Sequence, residues 1–421
     1  MRSSFRLFLR ALTIAWLLWL TTAVYVLRWV SFRLAGKTLA ERQALFGETV
    51  LNLFRRLGAT FIKVGQILST RPDLLPPHVI SSLSRLQDDV GPFPFQYVVR
   101  TLEEDFGQPV EALFSEFSRT PIASASVAQV HKARLQDGTW VAVKVRRPDI
   151  EDLCAFDLSV MLFYARIFEL FPSLRLLAPC ESVRQFGRAI AMQLDFTIEA
   201  KNNLRFARNF LMMPEVILPS LHLPLCSRRV LTMDFIEGTK ILDTNKSQAE
   251  RRALGELGFR VMLKMIFADG FVHADLHPGN LLVTGEGRVA LLDLGLVAEL
   301  DDLHRLAFAR YFAAWARGDG KTMADIHVDY SPSPFVQNRE AFTKEIQTFV
   351  EKMHGKRLCE VEVAKVVFEV FQILRRHRVR VNATFTMVNI AIAVTEGIGK
   401  QLDPTLDLLQ EALPFFSALS L

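Results

Sequence analysis

Val272-His273-Ala274-Asp275-Leu276-His277-Pro278-Gly279-Asn280, followed by Leu291-Leu292-Asp293-Leu294-Gly295, decides how this chain is read. Asp275 stands five positions before Asn280, and Asp293 thirteen after it. Two apolar runs, Leu281-Leu282-Val283 and Val289-Ala290-Leu291-Leu292, lie between them, split by Gly285-Glu286-Gly287. Apolar runs around a glycine-rich break predict a β-hairpin. Such a hairpin returns Asp293 to the end at which Asn280 stands.

A loop carboxylate, a loop amide and a second carboxylate before a glycine, at this spacing, form the set with which protein kinases hold Mg²⁺-ATP. Asp275 is the candidate group beside the nucleophile's proton. Asn280 and Asp293 are the candidate metal ligands. Mg²⁺ prefers hard oxygens in octahedral geometry and takes the remainder from phosphate and water. A single Asp in a turn is more often a cap. Three such residues with a hairpin between them are far more specific.

Working back from there, Ala123-Ser124-Ala125-Ser126-Val127 is a small-residue loop, and Asp137-Gly138 is a two-residue turn before Trp140-Val141-Ala142-Val143-Lys144-Val145. This reads as strand, turn, strand. Lys144 matches the strand lysine that grips ATP phosphates, and residues 123–127 stand where a phosphate-covering loop belongs. Alanine narrows the backbone choices that glycine would give, so the loop should be stiffer. A helical run over residues 182–211 offers Lys144 a carboxylate partner: Glu199 first, Asp195 second. Val230-Leu231-Thr232-Met233-Asp234 reads as a strand leading to a hinge, and residues 249–270 as a helix feeding the Asp275 loop.

The 421 residues are half hydrophobic, which describes a folded or membrane-associated chain rather than a disordered one. Residues 1–42 carry Arg2, Arg6, Arg10, Arg28, Arg33, Lys37 and Arg42 against Glu41, a balance of +6; the chain's +5 leaves −1 for the rest. The basic character therefore belongs to the N-terminal arm. It points to anionic lipid there and away from nucleic acid. Residues 11–27 hold no charge, with Trp16, Trp19, Tyr25 and Trp29 suited to an interface. A signal peptide and a buried amphipathic helix are the rival readings. The first lacks a small-x-small cleavage site and would separate an ATP site from its ATP. A membrane anchor or a helix in the membrane plane is preferred. Cys154, Cys180, Cys226 and Cys359 have no metal spacing and read as buried free thiols in a reducing compartment.

Residues 43–118 read as helical. Within them Lys63 and Gln66 are three apart and share a helix face. Gly65 costs about 1 kcal/mol in a helix, which points to a close contact there. After Gly295 the chain is expected to run straight into a helix, with no Ala-Pro-Glu element and no long activation segment. Residues 301–421 read as helices. The basic run Arg375-Arg376-His377-Arg378-Val379-Arg380 reads as a solvated helix end rather than a lipid patch.

With these motifs the chain resembles the UbiB family of atypical, protein-kinase-like proteins linked to ubiquinone biosynthesis. The residues that carry the resemblance are Lys63-Val64-Gly65-Gln66 with Leu68-Ser69-Thr70-Arg71-Pro72-Asp73, the Ala123–Ser126 loop with Gln129-Val130-His131, the Asp275 stretch, and Asp293-Leu294-Gly295. The likeness runs from about residue 43 through Glu396-Gly397-Ile398-Gly399-Lys400-Gln401-Leu402. It implies that Lys63 and Gln66 lie across the active-site mouth, where a protein substrate would otherwise dock. It also implies that the alanine-rich loop alters nucleotide preference, and that Lys144, Asp275, Asn280 and Asp293 keep kinase roles. Gln193 departs from the family's usual Glu, so a latch to Lys63 is expected to be weaker. The family's membrane-spanning C-terminal tail has no counterpart up to Leu421, and the N-terminal apolar stretch is expected to substitute.

The expected fold is α+β, a two-lobed protein-kinase-like fold with a helical N-terminal extension. Its expected parts are a membrane arm (1–42), a helical extension (43–118), an N-lobe (119–237) and a C-lobe (238–421). The expected function is an Mg²⁺-ATP-dependent atypical kinase or ATPase supporting quinone biosynthesis on the cytoplasmic side of a bacterial inner membrane. Expected partners are membrane lipids and either quinone-pathway enzymes or phenolic and isoprenoid precursors. A protein kinase acting on a partner, or a non-catalytic nucleotide-gated scaffold for lipids or quinones, are the alternatives.

Overall fold

The computed structural model describes residues 2–69, 75–86, 91–171, 178–243, 245–332, 336–353 and 363–406. Thr70, Arg71, Pro72 and Asp73 of the Lys63 motif, and Cys359, lie outside them. The chain divides into two compact units: residues 1–201 with 220–235, and residues 202–219 with 236–421. Residues 43–118 thus group with the sheet they precede, and residues 202–219 group with the second unit.

The first unit opens with helices α1 (Arg2–Leu34), α2 (Leu39–Leu57), α3 (Ala59–Ser69), α4 (Pro77–Leu83), α5 (Phe95–Phe106) and α6 (Val110–Leu113). Thr38 and Glu41 form a capping box that starts α2. Gly58, at φ +90°, ends it and lets α3 begin at once. Five strands follow: β1 (Phe114–Phe117), β2 (Ala123–Ser124), β3 (Ala128–Leu135), β4 (Trp140–Arg146) and, beyond the helices, a strand at Val230–Asp234. All neighbours are antiparallel, with β3 central to β1, β2 and β4, and Val230–Asp234 on the far side of β4. The period of two along β4 sends Val141, Val143 and Val145, all fully buried, into one core with Ala133, Leu102 and Phe114. Each such valine contributes roughly 1.5–3 kcal/mol. The same alternation turns Lys144 to the other face. Helix α7 (Ile150–Phe168) and the helices Pro179–Leu194 and Phe196–Asn209 complete this part of the chain.

The second unit is organised on helix Gln248–Leu263 and a continuous core that includes Phe206, Phe271, Phe308, Phe342 and Phe371. Phe206 and Phe271 meet at a tilt of 49°, with ring centroids 4.8 Å apart. The hairpin expected before Asp293 is present: Leu281–Val283 pairs antiparallel with Val289–Leu291. Helices Asp302–Arg317, Gly320–Asp329, Arg339–Met353, Val363–Arg376 and Ala383–Leu402 follow.

Several expectations need correction. The run over 182–211 is two helices, because Asp195 turns back to accept from Thr197 N (3.0 Å) and Thr197 Oγ1 (2.7 Å). Asp side chains compete for backbone in this way and stop helices. The turn before β4 has three residues, not two: Leu135 N donates to Thr139 O and Gly138 sits at φ +92°, the geometry of a type I turn followed by a left-handed residue. The segment after Gly295 is not directly helical, because Val297–Glu299 first pairs with Phe271–His273. Residues 114–117, expected helical, are β1. The helix feeding the Asp275 loop is regular only to Leu263 and closes with a π-turn over Lys264–Ala268. The basic run at 375–380 is partly tied down: Arg376 pairs with Glu345, as does His377 Nε2 at 2.6 Å.

Candidate active site

In the first unit Lys144 Nζ donates to Glu199 Oε1 at 3.0 Å and Oε2 at 2.9 Å. The side chains are 10% and 6% exposed. Nζ lies 5.3 Å from the centroid of Phe196, one turn before Glu199. Of the two candidate partners, geometry selects Glu199. Asp195 instead caps the helix that carries Glu199 and accepts from Arg228 Nε at 3.2 Å. Its carboxyl is held below the usual range, with the Thr197 and Arg228 contacts outweighing partial burial.

The small-residue loop is the tight end of a hairpin. Ala123 and Ser124 pair with Val130 and Gln129, and Ala125 N donates to Ala128 O at 2.7 Å. Arg147 holds it from below: its N donates to Val127 O (2.8 Å) and its Nη2 to Ala125 O (3.1 Å). Ser126 is fully buried. Gln129 and His131 form a strut between Phe93 and Ser118. Gln129 Oε1 accepts from Phe93 N (3.1 Å), and Gln129 Nε2 lies 2.9 Å from His131 Nε2. His131 Nδ1 lies 2.8 Å from Ser118 O. These partners assign a neutral imidazole that donates through Nδ1, in keeping with burial lowering its pKa.

On α3, Lys63 is buried, and Gln66 Nε2 donates to Leu86 O at 3.3 Å. Gln66 Oε1 is buried with no hydrogen-bond partner among the described residues. A buried acceptor left open is one that water or a ligand can satisfy. The contact expected at Gly65 is present: a Cβ there would come within 2.3 Å of Leu86 Cδ1 and 2.7 Å of Phe54 Cδ2. Gln193 is buried near the end of helix Pro179–Leu194.

In the second unit Asn280 ends a single 3₁₀ turn, Pro278–Asn280, which His277 caps by accepting from Gly279 N at 3.0 Å. Asn280 Nδ2 donates to Asp275 O at 3.0 Å, which leaves Oδ1 as its outward acceptor. Leu292 N donates to Asn280 O at 2.9 Å, so Asn280 and Asp293 share one end of the hairpin. Asp293 sits at φ +50°, a left-handed backbone that non-glycine residues adopt at a cost of about 1–3 kcal/mol. Asn202 Nδ2 braces the next residue through Leu294 O at 2.8 Å.

His273 links the two halves of the motif. Its Nδ1 accepts from Asp275 N and its Nε2 lies 3.2 Å from Leu292 O. One fully buried ring thus spaces the Asp275 loop from the strand before Asp293. Burial lowers its pKa and keeps it neutral.

The donor set fits Mg²⁺. One amide oxygen and one carboxylate are hard ligands, too few for a closed protein cage and suited to an ion that takes its other oxygens from phosphate and water. No group of three or more His, Cys, Asp or Glu residues capable of holding a metal occurs among the described residues. Cys154 and Cys180 are buried free thiols and Cys226 is a half-buried one.

Residues 85–327 match the ABC1 atypical kinase-like domain, and residues 346–407 match the UbiB helical domain. The chain is 35% identical over 408 residues to the probable protein kinase UbiB of Pseudomonas paraeruginosa, covering 95% of this chain and 75% of that relative. It is equally similar to the protein of that name from Pseudomonas aeruginosa strain LESB58. Among solved structures, Rv3197 of Mycobacterium tuberculosis in complex with erythromycin is similar over 84% of this chain and 92% of that one, with a TM-score of 0.55 at 24% identity. That likeness supports the α+β kinase-like fold. The chain belongs to the UbiB family of ABC1 atypical kinase-like proteins.

Proposed function

We propose that this chain is an Mg²⁺-ATP-dependent atypical kinase or ATPase that supports ubiquinone biosynthesis at a membrane. The observation that carries this reading is the buried Lys144–Glu199 pair, which holds a strand lysine in the role expected of a phosphate ligand. Asp275 is proposed to orient the attacking hydroxyl or water and accept its proton. Asn280 and Asp293 would hold Mg²⁺, which supplies charge neutralisation on the phosphates. Catalysis in this scheme is positioning and electrostatics rather than covalent chemistry. The Ala123–Val127 loop would cover the phosphates, and Lys63 and Gln66 would restrict what reaches them.

Six residues, 296–301, separate Gly295 from helix Asp302–Arg317, and Val297–Glu299 spends three of them in a strand. That leaves little chain to hold a peptide, which favours water or a small acceptor over a protein substrate. Helix α1 supports membrane association, since Phe8–Leu34 is long and apolar enough to cross a bilayer. The kinase-like part would face the cytoplasm, where ATP is.

The test is ATP turnover by the full chain with Mg²⁺, with and without anionic liposomes and a phenolic quinone-precursor mimic. Turnover that lipid or phenol stimulates and Asp275→Asn removes would support the reading. Phosphate transfer to an added quinone-pathway enzyme would favour a protein kinase. Nucleotide binding without turnover under every condition would favour a non-catalytic scaffold.

A further inference from the structure

Helix α1 has two unlike faces. At about 100° per residue, Leu12, Trp16, Trp19, Leu27, Val30 and Leu34 fall within an arc of about 80°. All six are exposed. Arg10, Ile14, Leu17, Leu18 and Tyr25 fall on the opposite side, and that side is occupied by protein.

Arg10 donates through Nε to Asp157 Oδ1 at 2.9 Å and through Nη2 to Asp157 Oδ2 at 2.8 Å. Its Nη2 also reaches Leu57 O at the end of α2. The Asp157 side chain, on α7, is fully buried. Ile14 is buried in a cluster with Leu57 and with Phe61 of α3. Farther along, Tyr25 meets Phe46 of α2 edge-on, with ring centroids 5.7 Å apart. Arg10 at Leu57 and Tyr25 at Phe46 make α1 and α2 antiparallel. These contacts extend over about 22 Å of α1 at 1.5 Å per residue.

A helix held along that length cannot also stand across a bilayer. Crossing would require α1 to peel off, leaving Asp157 buried without its partner, and breaking a buried pair from one side is strongly unfavourable. The exposed face has the chemistry of an interfacial helix instead: an apolar stripe with Trp16 and Trp19, flanked by exposed Arg33, in a segment of net +6.

We propose that α1 meets the membrane lying in its plane, docked on the protein by the Arg10–Asp157 pair, with the Leu12–Trp16–Trp19 face in an anionic lipid surface. This rests on the membrane association proposed above and replaces a bilayer-crossing anchor. It also places the lipid-facing helix directly against Phe61, two residues before Lys63, so lipid contact is felt at α3.

Three readouts on the full chain with sealed phosphatidylglycerol–phosphatidylcholine vesicles test this. Flotation of the unmodified chain comes first; failure to float overturns the underlying membrane reading. Next, Ser3→Cys and Lys37→Cys variants are treated with a membrane-impermeant maleimide from outside, with the labelled site located by mass. In-plane binding predicts equal labelling at both positions. Ser3→Cys protected until detergent is added would establish a crossing helix and overturn the proposal while leaving membrane association intact. Finally, a Tyr25→Cys/Phe46→Cys variant is expected to be cross-linked by a short bis-maleimide as completely on vesicles as in solution. Loss of that cross-link on vesicles would mean that α1 detaches, and would also overturn it.

Discussion

Glu199 accepts from Lys144 Nζ through both carboxylate oxygens, at 3.0 and 2.9 Å, inside a site that water barely reaches. A buried pair of this kind adds little net stability relative to an apolar replacement, but removing one partner costs about 3–5 kcal/mol. Lys144→Met and Glu199→Gln are therefore each expected to lower thermal stability and ATP turnover together. The double variant Lys144→Met/Glu199→Leu should recover most of the stability and none of the turnover. Recovery of turnover would mean that the pair is structural only.

Asn280 ties Asp275 O to the hairpin end that carries Asp293. Asn280→Ala removes a proposed metal oxygen and loosens the Asp275 loop. The expected result is a higher Mg²⁺ concentration for half-maximal turnover, with Mg²⁺-free nucleotide binding unchanged. A titration of turnover against Mg²⁺ checks this, and an unchanged midpoint would remove Asn280 from the metal site.

Gly65 has no room for a side chain. Gly→Ala ordinarily gains about 1 kcal/mol in a helix. Here a Cβ would lie 2.3 Å from Leu86 Cδ1 and 2.7 Å from Phe54 Cδ2. Leu86 can give, but the Phe54 ring is held against Phe61 at 6.0 Å. Overpacking of this type costs about 1–3 kcal/mol, so Gly65→Ala should be neutral to destabilising and Gly65→Val clearly destabilising. Thermal melts of the three proteins decide it; a stabilised Gly65→Val would contradict the packing.

Burial holds four histidines below their ordinary pKa: His78, His131, His273 and His327, the last pushed down to about 4. The unfolded chain takes up protons near pH 6.5 that the folded chain refuses. Their contribution is therefore complete above about pH 6.5 and falls as pH drops below it, for His327 down to about pH 4, by at most about 1.4 kcal/mol per pH unit for each. His327 lies 3.3 Å from Tyr311 Oη. His327→Asn should flatten the fall in denaturant midpoint between pH 7 and 5. An unchanged slope would assign the acid sensitivity elsewhere.

The parts legible in the sequence were those with a short period or a fixed spacing. Alternation along Val141–Val145 put Lys144 opposite the core, and Gly285–Gly287 marked the hairpin that brings Asp293 back to Asn280. What escaped depends on contacts distant in sequence. Asp195 stops its helix partly through Thr197, two residues on, and partly through Arg228, 33 residues away, and only the first contact lies within a local window. The role of His273 needed Leu292, nineteen residues on, to be visible. The strand Val297–Glu299 exists because Phe271–His273 is there to pair with it. The Arg10–Asp157 pair, 147 residues apart, gives no sequence signal at all.

Asp293 is proposed to belong to an Mg²⁺-ATP site that turns over. The most direct measurement is Mg²⁺-dependent ATP hydrolysis by the full chain on anionic vesicles, beside Asp293→Asn. Hydrolysis is expected to need Mg²⁺ and to vanish in Asp293→Asn while the variant melts like the parent. Hydrolysis retained by folded Asp293→Asn with Mg²⁺ present would contradict it.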